Sequence, residues 1–188
     1  MRLIEEKRRL RATLLERRLK MPFEEVFELS SRIQERFIST SEFKDSKRIA
    51  LYASFRNEVL TDDILAAAVK DKKEVFFPKL AAKGKIVFLA VRAKTELFQG
   101  SHDIPEPSAG GRAESVATFD LMAVPGVVFD ENGGRIGYGK GYYDRILSEA
   151  RCRVVALAFD FQVLTEVPSE EHDMTVDALV TETRIIKV

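Results

Sequence analysis

The chain is poor in the residues that build disulfides and zinc sites. Its 188 residues include one cysteine, Cys152, and two histidines. A single cysteine excludes an intramolecular disulfide, which fits a reducing compartment. So few thiol and imidazole ligands also argue against a zinc cage. Cys152 opens a predicted strand, and we interpret it as a structural residue although Arg151 and Arg153 flank it.

The chain also lacks net charge and long apolar runs. Thirty basic residues balance thirty acidic ones, so nothing favours non-specific binding to nucleic acid or membranes. No apolar segment approaches membrane-spanning length, and the N-terminus has no apolar signal-peptide core. We therefore expect a cytoplasmic monomer that binds neither nucleic acid nor membrane. Any site that binds an anion must therefore depend on a local cluster of basic residues.

The apolar pattern predicts an α/β fold. Helical periodicity covers residues 3–20, 22–38, 62–70 and 142–150, and Thr61 is a good N-cap for the third of these helices. Strand-like runs cover residues 47–53, 74–77, 86–91, 119–124, 153–158, 178–180 and 184–186, whereas residues 96–111 fit neither period. Strands that alternate with helices indicate a single Rossmann-like domain: an open, mostly parallel sheet with helices on both faces.

In such a sheet, ligands bind beyond the carboxyl ends of the strands. The loops after Ala53, Phe77, Val124 and Ala158 would therefore face one crevice. We expect that crevice to hold Glu58, Lys79, Asp173 and a glycine-rich stretch, residues 125–145.

The glycine-rich stretch holds six of the ten glycines and lies between a predicted strand and a predicted helix. Glycine admits positive φ and close approach to a ligand, so successive N–H groups can converge on an anion at the helix N-terminus. Arg135, Lys140 and Arg145 add positive charge. Gly141 stands where a P-loop needs Ser or Thr, and the spacing is not that of a dinucleotide-binding loop. An ordinary turn is the alternative, but it would need neither the cations nor Asp144.

The N-terminal helix is the most basic segment. Lys7 and Arg11 are four residues apart and therefore share a face. Such a run is usually a solvated surface. The competing interpretation is that this helix lies near the active site and reaches a bound polyphosphate.

Residues 121–130 (LMAVPGVVFD) and 134–144 (GRIGYGKGYYD) resemble the signature of the 5-formyltetrahydrofolate cyclo-ligase family, also called 5,10-methenyltetrahydrofolate synthetases. Shorter matches run along the whole chain. They include Lys7 with Arg11, Glu58-Val59-x-Thr61, Phe77-Pro78-Lys79, Ile104-Pro105-Glu106-Pro107 and Asp173-Met174-x-Val176-Asp177. The chain departs from many relatives at His102, which stands in a region where they carry an aromatic residue.

The resemblance implies an enzyme that converts 5-formyltetrahydrofolate and ATP into 5,10-methenyltetrahydrofolate, ADP and phosphate with Mg²⁺. The formyl oxygen would be phosphorylated, and N10 would then close the ring. Its partners would be small molecules, ATP and a reduced folate.

The resemblance also implies residue roles. Catalysis would fall to Lys140, Arg135 and Tyr143. ATP would contact Lys7, Arg11, Arg135, Ile136, Gly137, Tyr138, Gly139, Lys140, Gly141, Tyr142 and Tyr143. The folate would contact Ala53, Glu58, Tyr138 and Tyr143, with Glu58 on the pterin. Mg²⁺ would be held by Asp144 and Asp173.

Simpler interpretations stay open for several of these residues. Asp144 could serve the helix dipole, Glu58 and Asp173 could be surface acids, and one of Tyr142 and Tyr143 could be a core aromatic. For the whole chain, the alternatives are a non-catalytic nucleotide-binding module and, by analogy of fold alone, a sugar-phosphate isomerase.

Overall fold

The computed structural model describes residues 2–81, 84–100, 103–108, 110–170 and 173–188. His102 lies outside the described residues. The helices are α1 (Arg2–Leu19), α2 (Phe23–Ser39), α3 (Ser41–Asp45), α4 (Asp62–Lys70) and α5 (Tyr142–Glu149). The predicted helices are thus confirmed to within two residues, and α3 is an addition.

The strands form one large and two small sheets. They are β1 (Arg48–Ala50), β2 (Glu74–Leu80), β3 (Ile86–Ala90), β4 (Leu97–Gln99), β5 (Pro105–Pro107), β6 (Leu121–Val124), β7 (Val128–Asp130), β8 (Arg135–Ile136), β9 (Arg153–Leu157), β10 (Val163–Leu164), β11 (Ala178–Val180) and β12 (Ile185–Lys187). The large sheet has the order β12-β11-β9-β6-β1-β2-β3. Its inner pairs are parallel, and β3 and β12 join antiparallel at the edges.

Helices cover both faces of this sheet. Alternate residues of β6 enter different cores: Leu121 and Ala123 pack with α2, α3 and α4, whereas Met122 and Val124 pack with α5. Strands that are buried on both faces read as continuous apolar runs. The fold class predicted from the sequence is therefore confirmed.

The path from β6 to α5 differs from the simple strand–loop–helix order. A second sheet, β10-β7-β8, stands between them. The turn from β7 to β8 is organised by Asp130, whose carboxylate accepts hydrogen bonds from the backbone N–H groups of Asn132 (2.9 Å) and Gly134 (2.7 Å). Gly133 occupies this turn with φ 83°. The doubled glycine is thus part of a tight hairpin, and the glycine loop proper begins only after β8.

Two other expectations were wrong in part. Residues 96–111 are not wholly irregular, because β4 and β5 pair antiparallel. Strand β2 does not end at Phe77 but runs through Pro78 to Leu80. Pro78 is tolerated because the pairing with β1 ends at Phe76, so no partner there needs an N–H from residue 78.

The start of α4 is capped in an unexpected way. Thr61 is the N-cap residue, but its hydroxyl donates to the carbonyl of Tyr52 (2.7 Å) and makes no capping bond. Instead, the side-chain oxygen of Gln34 in α2 accepts from the N–H groups of Asp63 (2.8 Å) and Ile64 (3.4 Å). A partner from another helix has replaced the local cap that the sequence indicated.

Cys152 packs at the edge of the α5-side core, where burial raises the pKa of its thiol to about 11. A thiol that resists ionisation is a poor nucleophile, which supports the structural interpretation of this residue. Among the described residues, no helix is long and apolar enough to cross a membrane.

Gly126 provides a test of this packing. A Cβ at this position would lie 2.9 Å from Cε1 of Phe129, a ring with no exposed surface. Because the ring has nowhere to move, we expect Gly126→Ala to lower the free energy of unfolding by about 1–3 kcal/mol. Gly111→Ala is the matched control, since its Cβ would sit 3.7 Å from Leu89, an ordinary contact. Urea unfolding of both variants measures the difference, and equal midpoints would contradict the prediction.

Candidate active site

Helix α1 faces the second sheet with a mixed polar and apolar stripe. Lys7, Arg11, Leu14 and Arg18 recur at intervals of four, three and four residues, which places them on one helical face. Leu14 packs with Val127, Val128 and Ile136. This contact anchors the helix, and the three cations of the stripe reach the loops on either side.

The glycine loop after β8 lies directly under Arg11. Nε of Arg11 donates to the carbonyl of Gly137 (2.7 Å), and a Cβ on Gly139 would lie 3.4 Å from the Arg11 guanidinium carbon. Gly139 and Gly141 have φ 86° and 64°, a conformation that glycine adopts without strain. The basic helix and the glycine loop are therefore in direct contact.

Arg135 extends beneath the same loop. Its side chain is 2% exposed, and Nη2 donates to Oδ1 of Asp144 (2.8 Å). The guanidinium carbon lies 5.5 Å from the centroid of the Tyr143 ring. The Nε of Arg135 is buried without a hydrogen-bond partner, so this cation keeps a donor that no described residue satisfies.

Lys7 forms a second cation–carboxylate cluster. Nζ of Lys7 donates to Oε2 of Glu170 (2.8 Å) and also to Asp173. Burial opposes the charge of Lys7, but the hydrogen bonds that Lys7 donates to Asp173 and Glu170, together with the charges of these two acids, outweigh it and raise the pKa of the lysine. The two predicted metal ligands, Asp144 and Asp173, are thus each bound to a cation that was predicted to bind ATP.

The two carboxylates, Asp144 and Asp173, suit only a metal ion that brings further ligands with it. The described residues contain no group of three or more His, Cys, Asp or Glu side chains that could hold an ion. Mg²⁺ is usually bound through one or two carboxylates together with substrate phosphates. Asp144 and Asp173 are carboxylates, the type of ligand that Mg²⁺ takes when it arrives with substrate phosphates.

Glu58 is not the exposed loop acid that the simpler interpretation assumed. It is 5% exposed and follows Ala53 in the loop after β1. Its carboxylate accepts from the N–H of Phe55 (3.1 Å) and from the hydroxyl of Tyr138. Burial raises the pKa of Glu58 to about 7, even though the charge of Arg18 and these hydrogen bonds oppose the shift.

Two tyrosines of the glycine-loop region share this buried environment with Glu58. Burial raises the pKa of Tyr138 to about 12, and burial and the Glu58 charge also raise the pKa of Tyr143. The Tyr138 ring lies 6.3 Å from that of Phe55, centroid to centroid. Tyr138 therefore reaches from the glycine loop to the carboxylate.

The remaining predicted residues vary in their exposure. Lys140 is exposed at the tip of the loop, and Gly141 and Tyr142 are half-buried, with the Arg145 guanidinium 5.1 Å from the Tyr142 ring centroid. Ile136 is 3% exposed, and its side chain belongs to the core under α1. Only the main chain of Ile136 could face a ligand.

Arg18 is the residue that the sequence analysis did not single out. Its guanidinium lies 3.8 Å from Oε1 of Glu58 and donates to Tyr138. Spacing could have identified it, because Arg18 follows Arg11 by seven residues and so continues the face of Lys7 and Arg11. Within a run of arginines, however, this signal is hard to separate from a solvated surface.

Comparisons with known proteins point to one family. The model of the 5-formyltetrahydrofolate cyclo-ligase family matches residues 3–182. The mouse 5-formyltetrahydrofolate cyclo-ligase is 33% identical over 94% of this chain and 93% of its own length, and the Escherichia coli K12 protein of the same name is 31% identical over 73% and 79%.

A solved structure provides the same link. The 5,10-methenyltetrahydrofolate synthetase of Aquifex aeolicus superposes with a TM-score of 0.86 at 36% identity, covering 96% of this chain and 92% of that one. The fold, the signature stretch and these relatives agree, and the chain belongs to the 5-formyltetrahydrofolate cyclo-ligase family.

Proposed function

We propose that this protein, as a 5-formyltetrahydrofolate cyclo-ligase, uses ATP to convert 5-formyltetrahydrofolate into 5,10-methenyltetrahydrofolate, ADP and phosphate. The observation that carries the proposal is that one helix, α1, contacts two chemically different binding regions. A cationic, glycine-lined loop lies under Arg11, and a buried carboxylate, Glu58, lies beside Arg18. A polyphosphate and a pterin need these two environments, respectively.

In the proposed complex the triphosphate lies along residues 135–143. Lys7, Arg11, Arg135 and Lys140 supply positive charge, and Gly137, Gly139 and Gly141 let the main chain approach the phosphates. The buried Nε of Arg135 supports this placement, because a phosphate oxygen would satisfy a donor that the protein leaves unpaired.

Magnesium would enter this site on the nucleotide. Asp144 and Asp173 would hold it, directly or through water, and the ion would neutralise charge on the transferring phosphoryl group. With the ion held by these two carboxylates, Arg135 and Lys7 would be able to contact the phosphates.

The pterin would occupy the Glu58 end. A carboxylate can accept two N–H bonds from an aminopyrimidine edge, and Ala53, Tyr138 and Tyr143 would line the rest of the substrate site. Tyr138 belongs to both sets of predicted contacts. In the proposed complex the folate would therefore lie next to the glycine loop.

The chemistry follows from this arrangement. The formyl oxygen attacks the γ-phosphorus and ADP leaves, which turns a poor leaving group into a phosphate ester. N10 then bonds to the formyl carbon, phosphate departs, and the N10 proton is released. The protein mainly holds two substrates in line and neutralises phosphoryl charge, with Lys140 and Arg135 nearest that charge.

The direct test is to incubate the protein with MgATP and 5-formyltetrahydrofolate and to follow methenyl absorbance and ADP together. We expect equal amounts of both products and none without ATP. Nucleotide binding with no methenyl product would favour a non-catalytic binding module instead. Location in the cytoplasm and the monomeric state stay predictions.

Two single substitutions should separately impair the use of ATP and the binding of the folate. We expect Lys140→Ala to reduce kcat/KM for ATP by roughly 100-fold, as loss of a group that stabilises the transition state does. Glu58→Ala should raise the KM for the folate by about 10- to 100-fold, because it removes a charged acceptor. Lys70→Ala, an exposed lysine on α4, is the control. Unchanged folate affinity in Glu58→Ala would show that the pterin binds elsewhere.

The pKa of Glu58 predicts how folate binding depends on pH. The ionised carboxylate accepts the pterin N–H groups, and its pKa is about 7. Folate affinity should therefore be constant above this pH and fall by about tenfold per pH unit below it. Isothermal titration calorimetry between pH 5.5 and pH 8.5 measures this dependence, and Glu58→Gln should abolish it.

The same pKa predicts a cost to stability. The folded-state pKa of Glu58, about 7, exceeds the ordinary value of 4.5, so the native state binds the proton more tightly and the free energy of unfolding falls as pH rises through this window. The loss amounts to at most about 3 kcal/mol at pH 8. We expect Glu58→Gln to remove this loss, so that its midpoint in urea exceeds that of the wild type at pH 8 but not at pH 5. A constant difference at both pH values would contradict the assignment.

A further inference from the structure

Arg18 is one of the most deeply buried side chains among the described residues. It is 1% exposed although it lies in the last turn of a helix rich in exposed arginines. A buried charge is retained only where hydrogen bonds and an opposite charge compensate for lost hydration. The surroundings of Arg18 must therefore supply several specific partners.

Those partners come from three different loops. Nε of Arg18 donates to the carbonyl of Arg56 (3.0 Å), Nη1 donates to the carbonyl of Gly126 (2.8 Å), and Nη2 donates to the hydroxyl of Tyr138. The same Nη2 lies 3.8 Å from Oε1 of Glu58. One guanidinium group thus joins the loop after β1, the loop after β6 and the glycine loop.

Tyr138 connects Arg18 with Glu58. Arg18 donates to the oxygen of Tyr138, and a hydrogen bond between Tyr138 and the Glu58 carboxylate lowers the pKa of that acid. The hydroxyl of Tyr138 therefore lies between the cation and the carboxylate. Without Arg18 the hydroxyl could rotate and the carboxylate would lose its nearest cation.

The main chain of the loop depends on the same end of α1. Arg56 and Asn57, the two residues before Glu58, both have left-handed φ angles, 50° and 57°. Nδ2 of Asn57 donates to the carbonyls of Arg18 and Met21, both at 3.0 Å. A pair of non-glycine residues in this region is costly unless its surroundings fix it, and here the C-terminus of α1 does so.

We propose that Arg18 is the positioning residue of the pterin end of the site, holding Glu58 and Tyr138 in the orientation that accepts the substrate. It acts through these two groups and does not itself touch the folate. The inference rests on the proposed function for the identity of the substrate. The arrangement of Arg18, Glu58 and Tyr138 does not depend on that identity.

The charge of Arg18 has a separate effect from its geometry. Burial raises the pKa of Glu58, and Arg18 is the largest influence that lowers it. Removing the cation must therefore shift ionisation of Glu58 to higher pH. A lysine would keep a charge, but a single ammonium group cannot reproduce the planar fork that meets three oxygens in different directions.

The experiment compares Arg18→Met and Arg18→Lys with Arg17→Met. Arg17 is the exposed neighbour of Arg18, and its guanidinium stacks 4.3 Å from the Phe161 ring centroid. For Arg18→Met we expect the KM for the folate to rise by roughly tenfold or more, with the KM for ATP changed less than about twofold. The acid limb of the pH profile of kcat/KM for the folate should also move up by about one unit or more.

Arg18→Lys should show the rise in KM with a smaller shift of the pH profile, because the charge remains while the fork is lost. Arg17→Met should leave both unchanged. An equal loss at every pH, or a parallel rise in the KM for ATP, would overturn the proposal, because a merely structural role weakens the whole site without moving a titration.

A stability cycle separates this proposal from the proposed function. At pH 8, Arg18→Met should lower the urea midpoint strongly in the wild-type background but much less in the presence of Glu58→Gln, since the second change removes the uncompensated charge. If Arg18→Met does not fold alone, Arg18→Gln, which also removes the charge but keeps a hydrogen-bond donor, takes its place in the cycle. Equal shifts in both backgrounds would refute the coupling. Absence of turnover in the wild type would refute the proposed function while leaving the cycle valid.

Discussion

One face of α1 determines how the site is assembled. Lys7, Arg11 and Arg18 each reach a different loop, and Leu14 fixes the helix against the second sheet. The residues that they contact, Glu170, Gly137 and Arg56, lie outside strands and helices. The relative positions of these residues therefore depend on the side chains of α1 that bind them. A helix is rigid over its length, and side chains at fixed intervals along it can set the spacing of loops that the sheet alone would leave independent.

The two ends of this arrangement solve different electrostatic problems. At the phosphate end, Asp144 and Asp173 neutralise Arg135 and Lys7 in pairs that are partly open to solvent. The carboxylates of these pairs keep more contact with water, at 30% and 21% exposed, than the two cations do, so an ion could approach them from the solvent side. At the other end, Glu58 is buried, and its ionisation is balanced between loss of hydration and the nearby charge of Arg18. That balance is sensitive, since each partner removed leaves a charge or donor without compensation.

Much of the fold could be predicted because the decisive signals are local in sequence. Continuous apolar runs such as Leu121–Val124 mark strands that are buried on both faces, and the periodicity of α2 and α5 marks their buried sides. The local sequence patterns failed where a residue or strand that is distant in sequence determined the local structure. Gln34 took over the cap of α4 from Thr61, and β10, which is remote in sequence, gave the hairpin of β7 and β8 its third strand.

The same distinction applies to the candidate site. The glycine loop and its cations are contiguous, so their type and order alone indicated an anion-binding segment. Arg18 could not be separated from its exposed neighbours by composition, since burial depends on the loops that meet the end of α1. Glu58 was named through resemblance, whereas its altered pKa follows from burial, which no local pattern reveals.

The position of Tyr138 connects these observations. It lies in the glycine loop, yet its hydroxyl is held between Arg18 and Glu58. A carboxylate offers about four acceptor sites, and Phe55 and Tyr138 supply two of the donors within the described structure. The remaining capacity matches two N–H groups on one edge of a planar ligand. Because the residue beside Glu58 also belongs to the loop under Arg11, the two ends of the site share a single side chain, which in the proposed complex would lie between the two substrates.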